Sequence, residues 1–326
     1  MRKILHVGLH KTGTTSIQSG LKRNRNALAK VGVHYPSMSP LKEPDMAGHH
    51  PISRLLFEDA DKNRAKLQSY VNDIEESADS DDTLIISTEG FCRYTANSLK
   101  GASHLERRKA YVSEMAKSFG TDCEIVLAFR RPDNYGISLY QESVKKTSRT
   151  DHIGEYLEGV ALMRFSEYFD IFSSSFPKIR VVLFEELAAD PRGMAAAFLS
   201  SLDVPFEGLK LEASAPSNVS LHPYLVEYKR IRNHEKFDRH QSAALVKRLT
   251  EVQSEGNLAC LGDQVSLLSH TQRKELLSLK APQIEEIGTY VGRPGKDVFP
   301  KFERSHTPKQ KMTLEIFEEI HAAVAG

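Results

Sequence analysis

Short apolar runs alternate with segments of helical periodicity through about the first 190 residues, and this alternation constrains the fold more than any other feature. The run that starts at Ile4 and ends at Gly8 is followed by Ile17, Leu21, Leu28 and Val31 at helical spacing. Leu67, Val71 and Ile74 lead into Thr83-Leu84-Ile85-Ile86, and Val112, Met115 and Phe119 lead into Glu124 to Phe129. Pro132 stands where a first helical residue would, with Ile137, Tyr140 and Val144 following on one face. Phe165, Phe169, Phe172 and Phe176 precede Arg180 to Phe184. Each compact run reads as a buried strand, and strands joined through helices need crossover connections. The expected class is therefore α/β, with a central, mainly parallel sheet flanked by helices in three layers. Beyond about residue 190 the strand signal stops, and Ala195–Leu202, His222–His234, Asp238–Gln253 and His270–Val291 all carry helical periods. This predicts a single domain with an α/β core over about 1–190 and a helical extension over about 191–326.

The 44 Lys plus Arg balance 43 Asp plus Glu, a net charge of +1, which excludes a polybasic scaffold that coats nucleic acid. No run of about 18 apolar residues exists, so no transmembrane segment is expected. The segment Met1 to Lys11 begins like a signal peptide, but His and Lys break its short apolar stretch; the expected location is cytoplasmic. Cys92, Cys123 and Cys260 are far apart and form no CxxC pair, which favours reduced, buried thiols over disulfides or a thiolate metal site, and no metal is expected. Charge is uneven locally. Residues 1–42 carry eight Lys or Arg and no acid before Glu43, and these cations surround a glycine-threonine loop. Pro36 to Pro51 lacks periodicity and reads as a long loop, a candidate lid or substrate wall.

The loop Gly8-Leu9-His10-Lys11-Thr12-Gly13-Thr14-Thr15-Ser16 lies between the first strand and the first helix, where backbone N–H groups and the helix dipole attract an anion. Its glycines match the spacing of the P-loop pattern GxxxxGK[ST], but Thr14 takes the lysine position and the lysine has moved forward to Lys11. A kinase or ATPase needs that lysine on its β and γ phosphates, so the displacement opposes ATP chemistry.

Gly-x-x-Lys-x-Gly-Thr-Thr after an N-terminal strand resembles the phosphosulfate loop of sulfotransferases that use 3′-phosphoadenosine 5′-phosphosulfate, a family with a P-loop-type three-layer fold. The second family signature, an arginine at a strand end, a proline two residues on and a serine eight residues on, is matched by Arg130, Pro132 and Ser138. The resemblance implies that Lys11 contacts the phosphosulfate and its bridging oxygen, that Gly13, Thr14 and Thr15 wrap the 5′-phosphate, and that Arg130 and Ser138 hold the 3′-phosphate. His10, Thr12 and Ser16 complete the expected nucleotide-binding set. The likeness covers the sheet core through about Phe184, and Tyr290-Val291-Gly292 and Val298-Phe299 are similar to the tail of bacterial members. The bacterial sulfotransferases are the nearer group, since Gly48-His49-His50-Pro51-Ile52 and Ser87-Thr88-Glu89-Gly90-Phe91 match their His-rich segment and Ser-x-Glu-x-Phe pattern. An Arg-Lys-Gly loop, found near the C-terminus of animal and plant members, is missing; Ser217-Asn218-Val219-Ser220 is the segment that could replace it as a flap.

Sulfuryl transfer to an alcohol requires a base for the acceptor proton, and His49, His50 and Glu89 are the candidates. His10 is expected against the phosphosulfate or in a structural role. The resemblance implies a hydroxyl acceptor on a carbohydrate or glycolipid. Two other classes remain open at this level: a P-loop kinase or nucleotide hydrolase, and a nucleotide-binding module without a base.

Overall fold

Burial on both faces turns the predicted apolar runs into strands of one sheet. β1 (Arg2–His6), β2 (Val33–His34), β3 (Thr83–Ser87), β4 (Glu124–Phe129) and β5 (Lys178–Leu183) pair in the order β2-β3-β1-β4-β5, every pair parallel. The computed structural model describes all residues except 97–98, 100, 161–162, 207–208, 210, 212–219, 302–311 and 326. The proposed flap at Ser217, Asn218 and Val219 lies outside the described residues.

The helices are α1 (Thr14–Arg23), α2 (Arg25–Ala29), α3 (His50–Ser77), α4 (Gly90–Arg93), α5 (His104–Phe119), α6 (Pro132–Lys146), α7 (Ile153–Gly159) and α8 (Phe165–Ser173). They continue as α9 (Phe184–Ala189), α10 (Met194–Ser201), α11 (Pro223–Arg232), α12 (Arg239–Glu255), α13 (His270–Leu279), α14 (Ala281–Val291) and α15 (Leu314–Ala325). After β5, every regular element among the described residues is helical, as the period analysis anticipates.

The chain forms two compact units. The first, Met1–Arg130 with Arg164–Ser217 and Gln283–Phe299, holds the whole sheet. On one face of it Ile4, Ile85, Val126, Ala128 and Val182 pack with Ile17 and Leu21 of α1 and Ala197, Phe198 and Leu199 of α10. Gly20 permits the close approach of α1 to α10, because a Cβ there would stand 2.6 Å from Ala195 Cβ. On the other face Phe129 meets Phe165 and Phe169 of α8, each with centroids 5.3 Å apart.

The second unit, Arg131–Met163 with Asn218–Pro282 and Pro300–Gly326, has its own core of Tyr140, Val144, Leu225, Tyr228, Leu249, Val252 and Ile320. The two units therefore interleave along the chain: α10 and most of α14 belong to the unit that holds the sheet, whereas α6 and α7 belong to the helical unit.

Two local features shape the site-bearing unit. α3 bends at Asp59, whose carboxylate accepts the Lys62 N–H at 3.0 Å and so caps the second half of the helix. The segment between β2 and α3 is tied to α1 and α2, since Arg25 donates to the Tyr35 and Pro36 carbonyls and to both oxygens of Asp45. Lys22 adds a second cation to Asp45, and together they hold its carboxyl well below the usual carboxylate range.

Candidate functional site

β1 ends at His6, and the chain reaches the first turn of α1 through a loop with two left-handed residues, Lys11 at φ 66° and Gly13 at φ 80°. Glycine suits the second position, where a Cβ would also stand 2.2 Å from Met194 Cε. At Lys11 the conformation costs a non-glycine residue about 1–2 kcal/mol, a strain concentrated at the residue assigned the central role. The Thr12 hydroxyl, fully buried, donates back to the Leu9 carbonyl at 2.5 Å and closes the loop. The Thr12 side chain thus shapes the loop. At Gly8 a Cβ would stand 2.3 Å from Thr14 Cγ2, so the loop folds tightly over itself.

The N-terminus of α1 is suited to an anion. No side chain caps it, and its first turn holds no acid. Thr15 is exposed and Ser16 half-buried at this end. Arg130, following β4, lays its guanidinium over the Phe184 ring, 4.4 Å from the centroid, and donates to the Lys11 carbonyl at 3.3 Å. The arginine is thus anchored to the same loop. These residues fit a phosphate-bearing nucleotide.

Glu89 follows β3 and precedes α4, but its carboxylate does not cap that helix. It turns to the loop: Oε1 accepts from the Thr14 hydroxyl and Oε2 meets His10 Nδ1 at 3.0 Å. Its side chain is 13% exposed and that of His10 18%. Structure thus joins three of the sequence-selected residues, His10, Thr14 and Glu89, in one cluster.

The histidine pair separates in role. His49 is 1% exposed, accepts the Ser87 N–H at Nδ1 (3.0 Å) and donates from Nε2 to the Pro36 carbonyl (2.9 Å). Both ring nitrogens are thereby committed to backbone, and burial pushes the imidazole down to about 4. His49 is a strut between the β2–α3 segment and the end of β3, which corrects its selection as a base. His50 differs. It opens α3, is half-buried, and meets Thr88 Oγ1 at 3.1 Å through Nδ1. Burial lowers its affinity for a proton, Glu89 partly restores it, and Arg93 lowers it again. A neutral imidazole results, which is the state a base requires.

Sequence reasoning missed His6. Fully buried beneath the loop, it meets Ser87 Oγ at 2.8 Å, while Nε2 points towards Gly8 without a partner among the described residues. Burial pushes it down to about 4. Alternation along β1 places His6 on the Ile4 face, but no local pattern distinguishes such a histidine from an apolar neighbour.

Ser138 lies on α6, in the second unit. There the fully buried Asp133, in the first turn of α6, receives Arg131 at 2.7 and 3.1 Å and Arg273 of α13 at 3.0 Å. Arg273 also reaches Ser266 Oγ at 2.8 Å. The separation of 140 residues between Asp133 and Arg273 hides this pairing from sequence inspection.

The sequence matches no family model and no curated protein. Among solved structures it is similar to the crystal structure of a sulfotransferase from Alicyclobacillus acidocaldarius, at 14% identity and a TM-score of 0.38, covering 74% of this chain and 98% of that one. No helix among the described residues is long and apolar enough to cross a membrane.

Proposed function

We propose that this protein is a sulfotransferase that moves a sulfuryl group from 3′-phosphoadenosine 5′-phosphosulfate to a hydroxyl group of a carbohydrate or glycolipid. The observation that carries the reading is the loop after β1: an uncapped, acid-free helix N-terminus preceded by Lys11 and anchored to Arg130. The acceptor class follows from the likeness of Gly48–Ile52 and Ser87–Phe91 to bacterial sulfotransferases.

When bound, the nucleotide supplies the activated sulfuryl group, and the chain positions it and handles charge and protons. Gly13, Thr14 and Thr15 present backbone N–H groups to a phosphate, and Lys11 neutralises negative charge that grows beside it. By the family resemblance, Arg130 is assigned a guanidinium role, and Ser138 a hydroxyl role, towards the 3′-phosphate. His50, kept neutral by burial, and Glu89, fixed by His10 and Thr14, are the two groups assigned to take the acceptor proton. A kinase reading is disfavoured because Thr14, in the position of the nucleotide-gripping lysine, turns its side chain to a carboxylate.

Calorimetry with adenosine 3′,5′-bisphosphate, AMP and ATP tests the reading. The bisphosphate is expected to bind best, and Arg130→Ala or Ser138→Ala to lose about 1.5–3 kcal/mol on it with little effect on AMP. Equal binding of bisphosphate and AMP by the wild type would overturn the 3′-phosphate assignment. Turnover of labelled donor against a panel of glycans, glycolipids and phenols tests the acceptor class; magnesium-dependent ATP turnover would revive the kinase.

A further inference from the structure

We propose that Thr14 and Glu89 form a latch operated by the donor: the carboxylate holds the phosphate loop in the free protein through the Thr14 hydroxyl, and an anion entering the loop takes that hydroxyl and frees one oxygen of Glu89. The inference rests on the proposed function and goes beyond it by coupling the two halves of the reaction. An anion-binding loop has little use for a carboxylate, yet both oxygens of Glu89 are engaged there, one by Thr14 and one by His10. The Thr14 hydroxyl has a single proton and cannot donate to Glu89 and to a phosphate together.

On entry of an anion Glu89 Oε1 loses its donor and a negative group arrives beside the carboxylate, so the latch opposes binding both by the hydrogen bond given up and by like-charge repulsion. Loading the loop and freeing one oxygen of Glu89, while His10 still holds the other, are then a single step.

The test is titration calorimetry of adenosine 3′,5′-bisphosphate, with pyrophosphate in parallel, at pH 7.5. Glu89→Gln, which keeps shape but removes the charge, is expected to bind the bisphosphate about tenfold more tightly than wild type. In the Thr14→Val background the gain from Glu89→Gln should shrink at least threefold, whereas Thr14→Ser should behave as wild type. Independent, additive effects of the two substitutions, or a bisphosphate affinity unchanged by Glu89→Gln, overturn the latch and leave the proposed function standing. If pyrophosphate shows the Glu89 dependence and the bisphosphate does not bind, the latch holds and the nucleotide assignment fails. If neither anion binds to wild type or Glu89→Gln, both fall.

Discussion

Replacing His49 separates a structural strut from a catalytic base. In His49→Ala, the Ser87 N–H and the Pro36 carbonyl lose their partners in a site that is 1% exposed. Each buried orphan costs about 1–3 kcal/mol. The edge contact with Tyr35, centroids 4.5 Å apart, adds about 0.5–1 kcal/mol. The loss should total about 4 kcal/mol, a large share of the stability of any domain. Because the chain has no Trp, urea unfolding is best followed by far-ultraviolet circular dichroism. The pH dependence gives a second signature. Folded His49 sits at about 4 against an ordinary 6.5, so between those values the unfolded chain binds more protons. Its contribution is complete above about pH 6.5 and is lost as pH falls towards 4, about 3 kcal/mol in all. His6 behaves the same way and remains in the variant, so His49→Ala should flatten the acid limb by about half. His50→Ala, with one side-chain bond to Thr88, should move the midpoint little at pH 7. A His49→Ala protein that unfolds at the wild-type midpoint yet has lost turnover would refute this reasoning and restore His49 as a base.

The strands were legible because they are apolar on both faces: β4 falls where the run Glu124 to Phe129 predicts, and Pro132 does open α6. Shorter elements were not. β2 has two residues and α4 has four, too few to establish a period. The predicted long helix from Ile17 to Val31 breaks at Asn24, whose side chain donates to the Gly20 carbonyl. The interleaving of the units was hidden for a different reason, since it depends on which buried face each helix finds. In the site, the glycine-lysine-threonine spacing identified the loop, while Glu89 became a candidate through the resemblance and its place just beyond β3. Which of two adjacent histidines faces a ligand depends on where α3 begins. Helix geometry starts at His50 and leaves His49 outside it, turned into the protein.

Further outcomes follow from the same geometry. Lys11→Ala should depress turnover more than it weakens bisphosphate binding, and Lys11→Gly should be more stable than Lys11→Ala by about 1 kcal/mol, because only glycine adopts φ 66° freely; thermal melting compares the pair. Asp45→Asn should cost about 1 kcal/mol near neutral pH and nothing in strong acid: the folded carboxyl is depressed, so its contribution is present above about pH 4 and fades as pH falls. Denaturation at several pH values tests it. The last concerns the buried Arg131–Asp133–Arg273 cluster, where the two arginine side chains are 11% and 7% exposed and the aspartate is fully buried. Arg273→Met leaves Asp133 paired with Arg131 and replaces a buried cation by an apolar side chain of similar length, so it should cost no more than about 1–2 kcal/mol. Asp133→Ala takes the buried carboxylate away from two neighbouring guanidinium groups and should cost more than about 3 kcal/mol, while loosening the start of the helix that carries Ser138. The order of the two urea midpoints decides: if Arg273→Met is the more damaging, the aspartate is not what neutralises this cluster, and α6 is held chiefly by the Arg273 contacts to Asn134 and Ser266.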